Sequence, residues 1–133
     1  MEKNKVMLDT SAYSAYLRGN EDIAQLIREA DEIYLSPIVL GELYAGFAQG
    51  SKEKKNRDIL TEFLASPRVQ VVVIDEETAE RYTAIITYLW AKGSPIPTSD
   101  LWIASTAMQH GLKLITTDGH FRLVPHVIVE CCN

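Results

Sequence analysis

The 133-residue chain has few sulfur and imidazole side chains: two cysteines, adjacent at Cys131 and Cys132, and three histidines. Neighbouring thiols at one end give neither a disulfide framework nor the paired spacing of a zinc site, and the histidines add no arrangement suited to zinc. No apolar run approaches the roughly 20 residues that cross a membrane as a helix. The opening MEKNKVMLD lacks the apolar region and small-residue cleavage pattern of a secretory signal, so the expectation is a cytoplasmic protein. Positive charge is also short, with 13 Lys and Arg against 18 Asp and Glu and a net charge of −5. That balance excludes a protein that coats nucleic acid through bulk charge. It leaves open a nuclease, whose acidic metal site adds negative charge of its own until cations neutralise it. Internal repeats, low-complexity segments and interdomain linkers are missing too, so residues 1–133 read as one domain.

What is present is an alternation of short apolar runs and helical patterns. Hydrophobic residues make up 47% of the chain and charged residues 23%, enough to build an ordinary core. Val6-Met7-Leu8 reads as a buried strand that ends on Asp9, and Ala12–Leu17 as a short helix stopped near Gly19. Asn20 caps a second helix with Ile23, Leu26 and Ile27 inward, and Ile33-Tyr34-Leu35 is the next strand. Ser36-Pro37 starts a helix bearing Leu40, Leu43, Tyr44 and Phe47 on one face, with Glu42 between them. Ser51 opens a further helix with Ile59, Leu60, Phe63 and Leu64 inward. Val69–Ile74 is the most strand-like run, and Asp75 caps a long helix with Ala79, Tyr82, Ile85, Ile86 and Leu89 facing in. Strands alternating with helices predict a layered α/β domain, with a mainly parallel central sheet wrapped by helices.

The stretch Ile96–Phe121, IPTSDLWIASTAMQHGLKLITTDGHF, carries the chemistry. Asp100 opens a helix with Ile103, Ala104, Ala107 and Met108 as its stripe. Thr98 or Ser99 serves as N-cap, and Gly111 as the C-terminal glycine. Leu112–Thr116 reads as a strand with Asp118 just past its end, Gly119–Leu123 as a tight turn, and Val127–Val129 as a last strand. A helix-start acid and a strand-end acid can converge at the sheet edge where open α/β sheets bind ligands. Asp9, Glu42, Asp100 and Asp118 share this placement, beside apolar sequence at strand ends or in first helical turns. Carboxylates gathered there repel one another and resist ionisation unless a cation joins them, and Mg²⁺ or Mn²⁺ suits an all-oxygen set. Taken singly, each has a plainer reading: Asp9 and Asp118 as turn acids, Glu42 as a surface residue, Asp100 as a helix-start acid favoured by the dipole.

In VMLDTSAY, SPIVLGELYAG, IPTSDLWIASTAMQHG and LITTDGHFRLVPHV, taken in order, the chain resembles PIN domains, and within them the VapC toxins of toxin–antitoxin pairs. The resemblance implies a metal-dependent endoribonuclease with Asp9, Glu42, Asp100 and Asp118 as its metal-binding acids. Ser11, preferred over Thr10, would support the first acid, and Thr116 of the T-x-D motif would orient the last acid or a metal-bound water. Some relatives carry an acid at the position of His120, which reads here more readily as a phosphate contact or a packing residue than as a ligand. An RNA substrate (a tRNA or rRNA), a small antitoxin occupying the acidic pocket and a homodimer are implied as partners, with no membrane. The basic run Lys52, Lys54, Lys55 and Arg57 offers phosphate contacts, or else a solvated helix face. Tyr13, Tyr16 and Trp102 divide similarly between base stacking and the core. Two other classes compete. A phosphatase with an aspartate nucleophile wants a second aspartate where Ser11 stands. A silent PIN-like module that binds RNA or protein usually loses one or more of the acids, and all are kept here.

Overall fold

The computed structural model describes residues 2–131. Cys132 lies outside the described residues, and the reading of the adjacent thiols with it. The elements run β1 (Lys5–Leu8), α1 (Thr10–Leu17), α2 (Glu21–Glu29), β2 (Glu32–Leu35), α3 (Pro37–Gln49), α4 (Glu53–Leu64), β3 (Val69–Val71), α5 (Glu76–Lys92), α6 (Thr98–His110), β4 (Lys113–Thr116), a 3₁₀ turn (Gly119–Leu123) and β5 (Val129–Cys131).

The five strands are all parallel, in the order β3-β2-β1-β4-β5. Helices cover the sheet, so Met7, Leu8, Ile33, Leu35, Leu114 and Ile115 are buried whichever way they point, and the strands read as apolar runs rather than alternations. The chain builds outward from β1 to β3 on one side, then crosses to β4 and β5 on the other. The order therefore reverses between β1 and β4, where Leu8 pairs with Ile115. A crevice opens beyond the carboxyl ends of two strands at such a reversal. Asp9 follows one of them and Asp118 the other.

Helix α6 packs against α5, α3 and β4 and brings Asp100 to this crevice. Leu101 and Ile103 through Ala107 are buried, so the helix is covered on most of its circumference. Its buried hydroxyls are satisfied within the helix: Ser105 donates to Leu101 O at 2.6 Å and Thr106 to Trp102 O at 2.8 Å. Gly111 ends it at φ 64° and ψ 40°, left-handed backbone that a side chain resists. A Cβ there would meet no atom within 4 Å, so Gly111→Ala probes the backbone alone. The substitution should cost about 1–2 kcal/mol, read as a lower urea midpoint at unchanged slope. An unmoved midpoint would show that this turn is not held left-handed in solution.

Several element ends differ from the sequence expectation. The Val69–Ile74 run forms only a three-residue edge strand. Val72 N–H still reaches Leu35 O at 3.0 Å, but Ser36 then turns its neighbour into α3, leaving Val73 with no strand partner among the described residues and 72% exposed. The cap of α6 is Pro97, whose extended ψ of 146° precedes the first turn, and not Thr98 or Ser99, which are already helical. Helix α4 starts at Glu53 with Lys52 in the cap position, because Gly50 and Ser51 are used in the bend out of α3. In α5 the inward residue is Thr78 rather than Ala79. Asp75 and Thr78 form a reciprocal capping box, and the Thr78 hydroxyl also reaches Gln109 of α6, which fixes the helix's rotation. The turn before β5 runs on through a Val127 N–H to Val124 O bond, so that strand begins at Val129.

Candidate active site

Asp9 has extended backbone (φ −84°, ψ 179°) and is the N-cap of α1. Its carboxylate is 4% exposed and fully engaged by its own chain. One oxygen accepts Ala12 N–H at 2.8 Å, the other accepts the Thr116 hydroxyl at 2.5 Å, and the Ser11 hydroxyl lies 2.8 and 2.9 Å from the two. Ser11 in turn accepts Thr117 N–H at 3.0 Å, and Thr116 accepts Asp118 N–H at 2.9 Å. Two hydroxyls thus stitch the end of β1 to the end of β4 and orient both acids. Burial pushes the Asp9 carboxyl above the ordinary range and the charge of Asp118 adds to it, while the bonds from Thr116, Ala12 and Ser11 pull the other way.

Asp100 comes from the first turn of α6, Asp118 from the cap of the 3₁₀ turn. Asp118 accepts the His120 backbone N–H at 2.9 Å, which folds the His120 ring back over the acids. Its Nδ1 lies 3.1 Å from Asp118 Oδ1 and 3.5 Å from Asp100 Oδ2. Burial, then the charge of Asp118, push the Asp100 carboxyl up to about 6; His120 opposes the rise and Asp9 adds to it. Among the described residues, Asp100, Asp118 and His120 are the one group whose ligand atoms all lie within 4.8 Å of one another. Asp9 stands next to that trio with its oxygens turned to the hydroxyls. Glu42 is exposed on α3 and accepts a short hydrogen bond from Thr10 at the start of α1. Such a donor set fits a divalent cation: desolvated carboxylates that repel one another, mostly hard oxygen, with one imidazole at the rim.

Thr10 and His120 are the residues whose placement the sequence gives least sign of. Ser11 supports Asp9, yet Thr10 is no bystander, since it holds Glu42. Besides the acid that some relatives carry at its position, the signal for His120 is its spacing of two from Asp118, which an Asx-type turn converts into contact.

The basic run is exposed on α4, which packs chiefly on α3 and β3. Lys54 is tied to Asp58 at 2.7 Å, and the Arg57 guanidinium lies 4.3 Å over the Tyr44 ring, joining α4 to α3. Lys52 and Lys55 have no acidic partner among the described residues. The aromatic residues belong to the packing. Tyr13 is buried with its ring centroid 5.3 Å from Phe63 and 6.1 Å from Tyr16, and Trp102 stacks on Tyr82 at 4.4 Å.

Comparison with known proteins finds the same arrangement of chain elsewhere. Ribonuclease VapC4 of Mycobacterium tuberculosis is 32% identical over 95 residues, which are 71% of this chain and 73% of that protein. Ribonuclease VapC2 of Rickettsia felis is 31% identical over 129 residues, 93% of this chain and 95% of that protein. The crystal structure of VapBC2 from Rickettsia felis, bound to a promoter DNA fragment, matches with a TM-score of 0.82 at 27% identity, covering 96% of this chain and 98% of that one. With the PIN domain model matching residues 6–127, a span that takes in every acid from Asp9 to Asp118, the chain belongs to the PIN domain family.

Proposed function

We propose that residues 1–133 form a single metal-dependent endoribonuclease domain, the toxin of a toxin–antitoxin pair, which hydrolyses RNA phosphodiester bonds at Asp9, Glu42, Asp100 and Asp118. The observation that carries this reading is the meeting of Asp9, Asp100 and Asp118 at the sheet's point of reversal, close enough for the charge of Asp118 to raise the proton affinity of both Asp9 and Asp100 and for Asp9 to add to that of Asp100. The relatives named ribonucleases and the VapBC2 complex support it. The same reading gives the protein an antitoxin that covers the acidic crevice, a second copy as dimer partner and a cytoplasmic setting. No helix among the described residues is long and apolar enough to cross a membrane.

Asp100 and Asp118 would hold Mg²⁺ or Mn²⁺, with Asp9 beside them. A bound ion of this kind supplies Lewis acidity, lowering the pKa of a water and offsetting charge that develops on phosphate. The chain's own contribution is positioning. Ser11 and Thr116 fix the Asp9 carboxylate, and Thr116 also orients the Asp118 backbone. Thr10 engages Glu42 Oε1, and the second carboxylate oxygen of Glu42 would be the one to take a proton from an attacking water. The burial of Asp100, whose side chain is only 15% exposed, limits the competing solvent that would weaken these charge interactions.

Cleavage of total RNA by the purified, antitoxin-free chain tests this, with Mg²⁺ or Mn²⁺, with EDTA, and with Asp100→Asn run alongside. Discrete fragments should require metal and vanish in the variant, and their ends identify the target as tRNA or rRNA. Fragments that survive EDTA or the substitution would sink the assignment. Absence of cleavage, with a melting temperature indifferent to both cations, would make the chain a silent binding module instead.

A further inference from the structure

Neither the four acids nor the names of the relatives give His120 a role, yet the structure brings its ring into the acidic cluster. Its Nδ1 lies 3.1 Å from Asp118 Oδ1 and 3.5 Å from Asp100 Oδ2. Donors on adjacent corners of an octahedron with bonds of about 2.1 Å sit about 3.0 Å apart, and tetrahedral donors at similar bond lengths about 3.4 Å apart. The first contact is close to the octahedral edge and the second to the tetrahedral one, so both lie within the span that donors to a single ion occupy. The placement is also built rather than incidental. The Asp118 carboxylate accepts the His120 backbone N–H, and Thr116 accepts the Asp118 N–H, so one turn holds the carboxylate and the ring on the same side.

We propose that His120 is a ligand of the metal site through Nδ1, and that this nitrogen turns the site's preference from Mg²⁺ toward transition-metal ions such as Mn²⁺ and Co²⁺. The inference rests on the metal-dependent reading above and names which ion class that site selects. Carboxylate and water suit Mg²⁺ and Mn²⁺ alike, whereas imidazole gains affinity along the transition series and adds little for Mg²⁺. Asp100 and Asp118 by themselves make a site of the first kind. His120 converts it to a mixed oxygen and nitrogen site at the exposed rim, where the ring is 51% accessible.

Pulsed electron paramagnetic resonance on the untagged full chain, stripped with EDTA and loaded with Mn²⁺, reads this directly. Nitrogen-14 coupling to the bound ion is expected in the wild type. It should be absent in His120→Ala and in His120→Gln, which keeps a polar contact to the acids and so separates ligation from simple support. In competition titrations the ratio of the Mg²⁺ to the Mn²⁺ dissociation constant should fall at least tenfold in both variants. Mn²⁺ bound to the wild type without nitrogen coupling would overturn the ligand assignment and leave the metal-dependent reading standing, with the ring confined to hydrogen bonding the acids. Coupling and selectivity unchanged in the variants would overturn it equally. A folded wild-type chain that binds no Mn²⁺ at all would remove the metal site and this inference together.

Discussion

Asp100→Asn is expected to raise the melting temperature of the metal-free chain at pH 7 while abolishing both its stabilisation by divalent cations and its cleavage of RNA. The carboxyl is pushed from 3.8 to about 6, first by burial and then by the charge of Asp118. A shift of that size corresponds to at most about 3 kcal/mol, and partial solvent access reduces it to about 1–2 kcal/mol. The sign follows from proton linkage. The folded chain holds this proton more tightly than the unfolded chain does, so metal-free stability falls as pH rises from 3.8 through about 6 and is lowest above. Asparagine removes that loss. The variant should gain about 4–8 °C at pH 7 and nothing at low pH, where aspartic acid is already neutral. Cation then reverses the ranking: the wild type gains about 2.7 kcal/mol at a hundredfold excess over the dissociation constant, and the variant little. The plainer role, a helix-start acid held by the dipole of α6, makes the opposite forecast. Losing such an acid costs about 0.3–1 kcal/mol. A metal-free Asp100→Asn chain that melts below the wild type at pH 7 would therefore place Asp100 among structural caps.

The contrast between elements that were legible and those that were not follows from where each element's signal resides. Ser36-Pro37, Asp75 and Gly111 mark helix ends through chemistry confined to a few neighbouring residues, and the structure uses each at the end expected. The strand runs were legible because a sheet covered on both faces leaves long apolar stretches. The end of β3 was not legible, because its length is set by where β2 turns away and not by its own valines. In helix α6 the expected stripe of Ile103, Ala104, Ala107 and Met108 does face the core, but Leu101, Ser105 and Thr106 are buried as well, and an apolar periodicity cannot report buried hydroxyls. The acids could be named one at a time from their positions beside apolar runs. Their mutual placement could not, because it depends on the pairing of Leu8 with Ile115, which brings Thr116 to Asp9 across 107 residues. His120 needed both that pairing and the Asp118 turn, and a lone histidine advertises neither.

Asp9→Ala is the second large effect, and it should run the other way. Asp9 is as acidic as Asp100 in formal charge, but its carboxylate is a structural hub as well. Truncation strips acceptors from Ala12 N–H, from the Ser11 hydroxyl and from the Thr116 hydroxyl in a buried setting, and removes the N-cap of α1. Each unsatisfied buried donor costs about 1–3 kcal/mol, and a lost cap about 1. Ser11 and Thr116 stand 3.2 Å apart and can turn to each other, which recovers part of this. The burial that raises the Asp9 carboxyl also means that its removal relieves some desolvation. The net expectation is a loss of about 3 kcal/mol in metal-free denaturant unfolding at pH 7. Asp9→Asn should cost less, about 1 kcal/mol, since the amide oxygen still accepts Ala12 N–H and a reoriented hydroxyl can accept its N–H₂. All three variants should fail to cleave RNA, so activity cannot separate the acids, whereas stability without metal can. If Asp9→Ala proves as stable as the wild type in EDTA, the desolvation of the carboxylate offsets its whole hydrogen-bond network, and Asp9 is held in the fold for the cation alone.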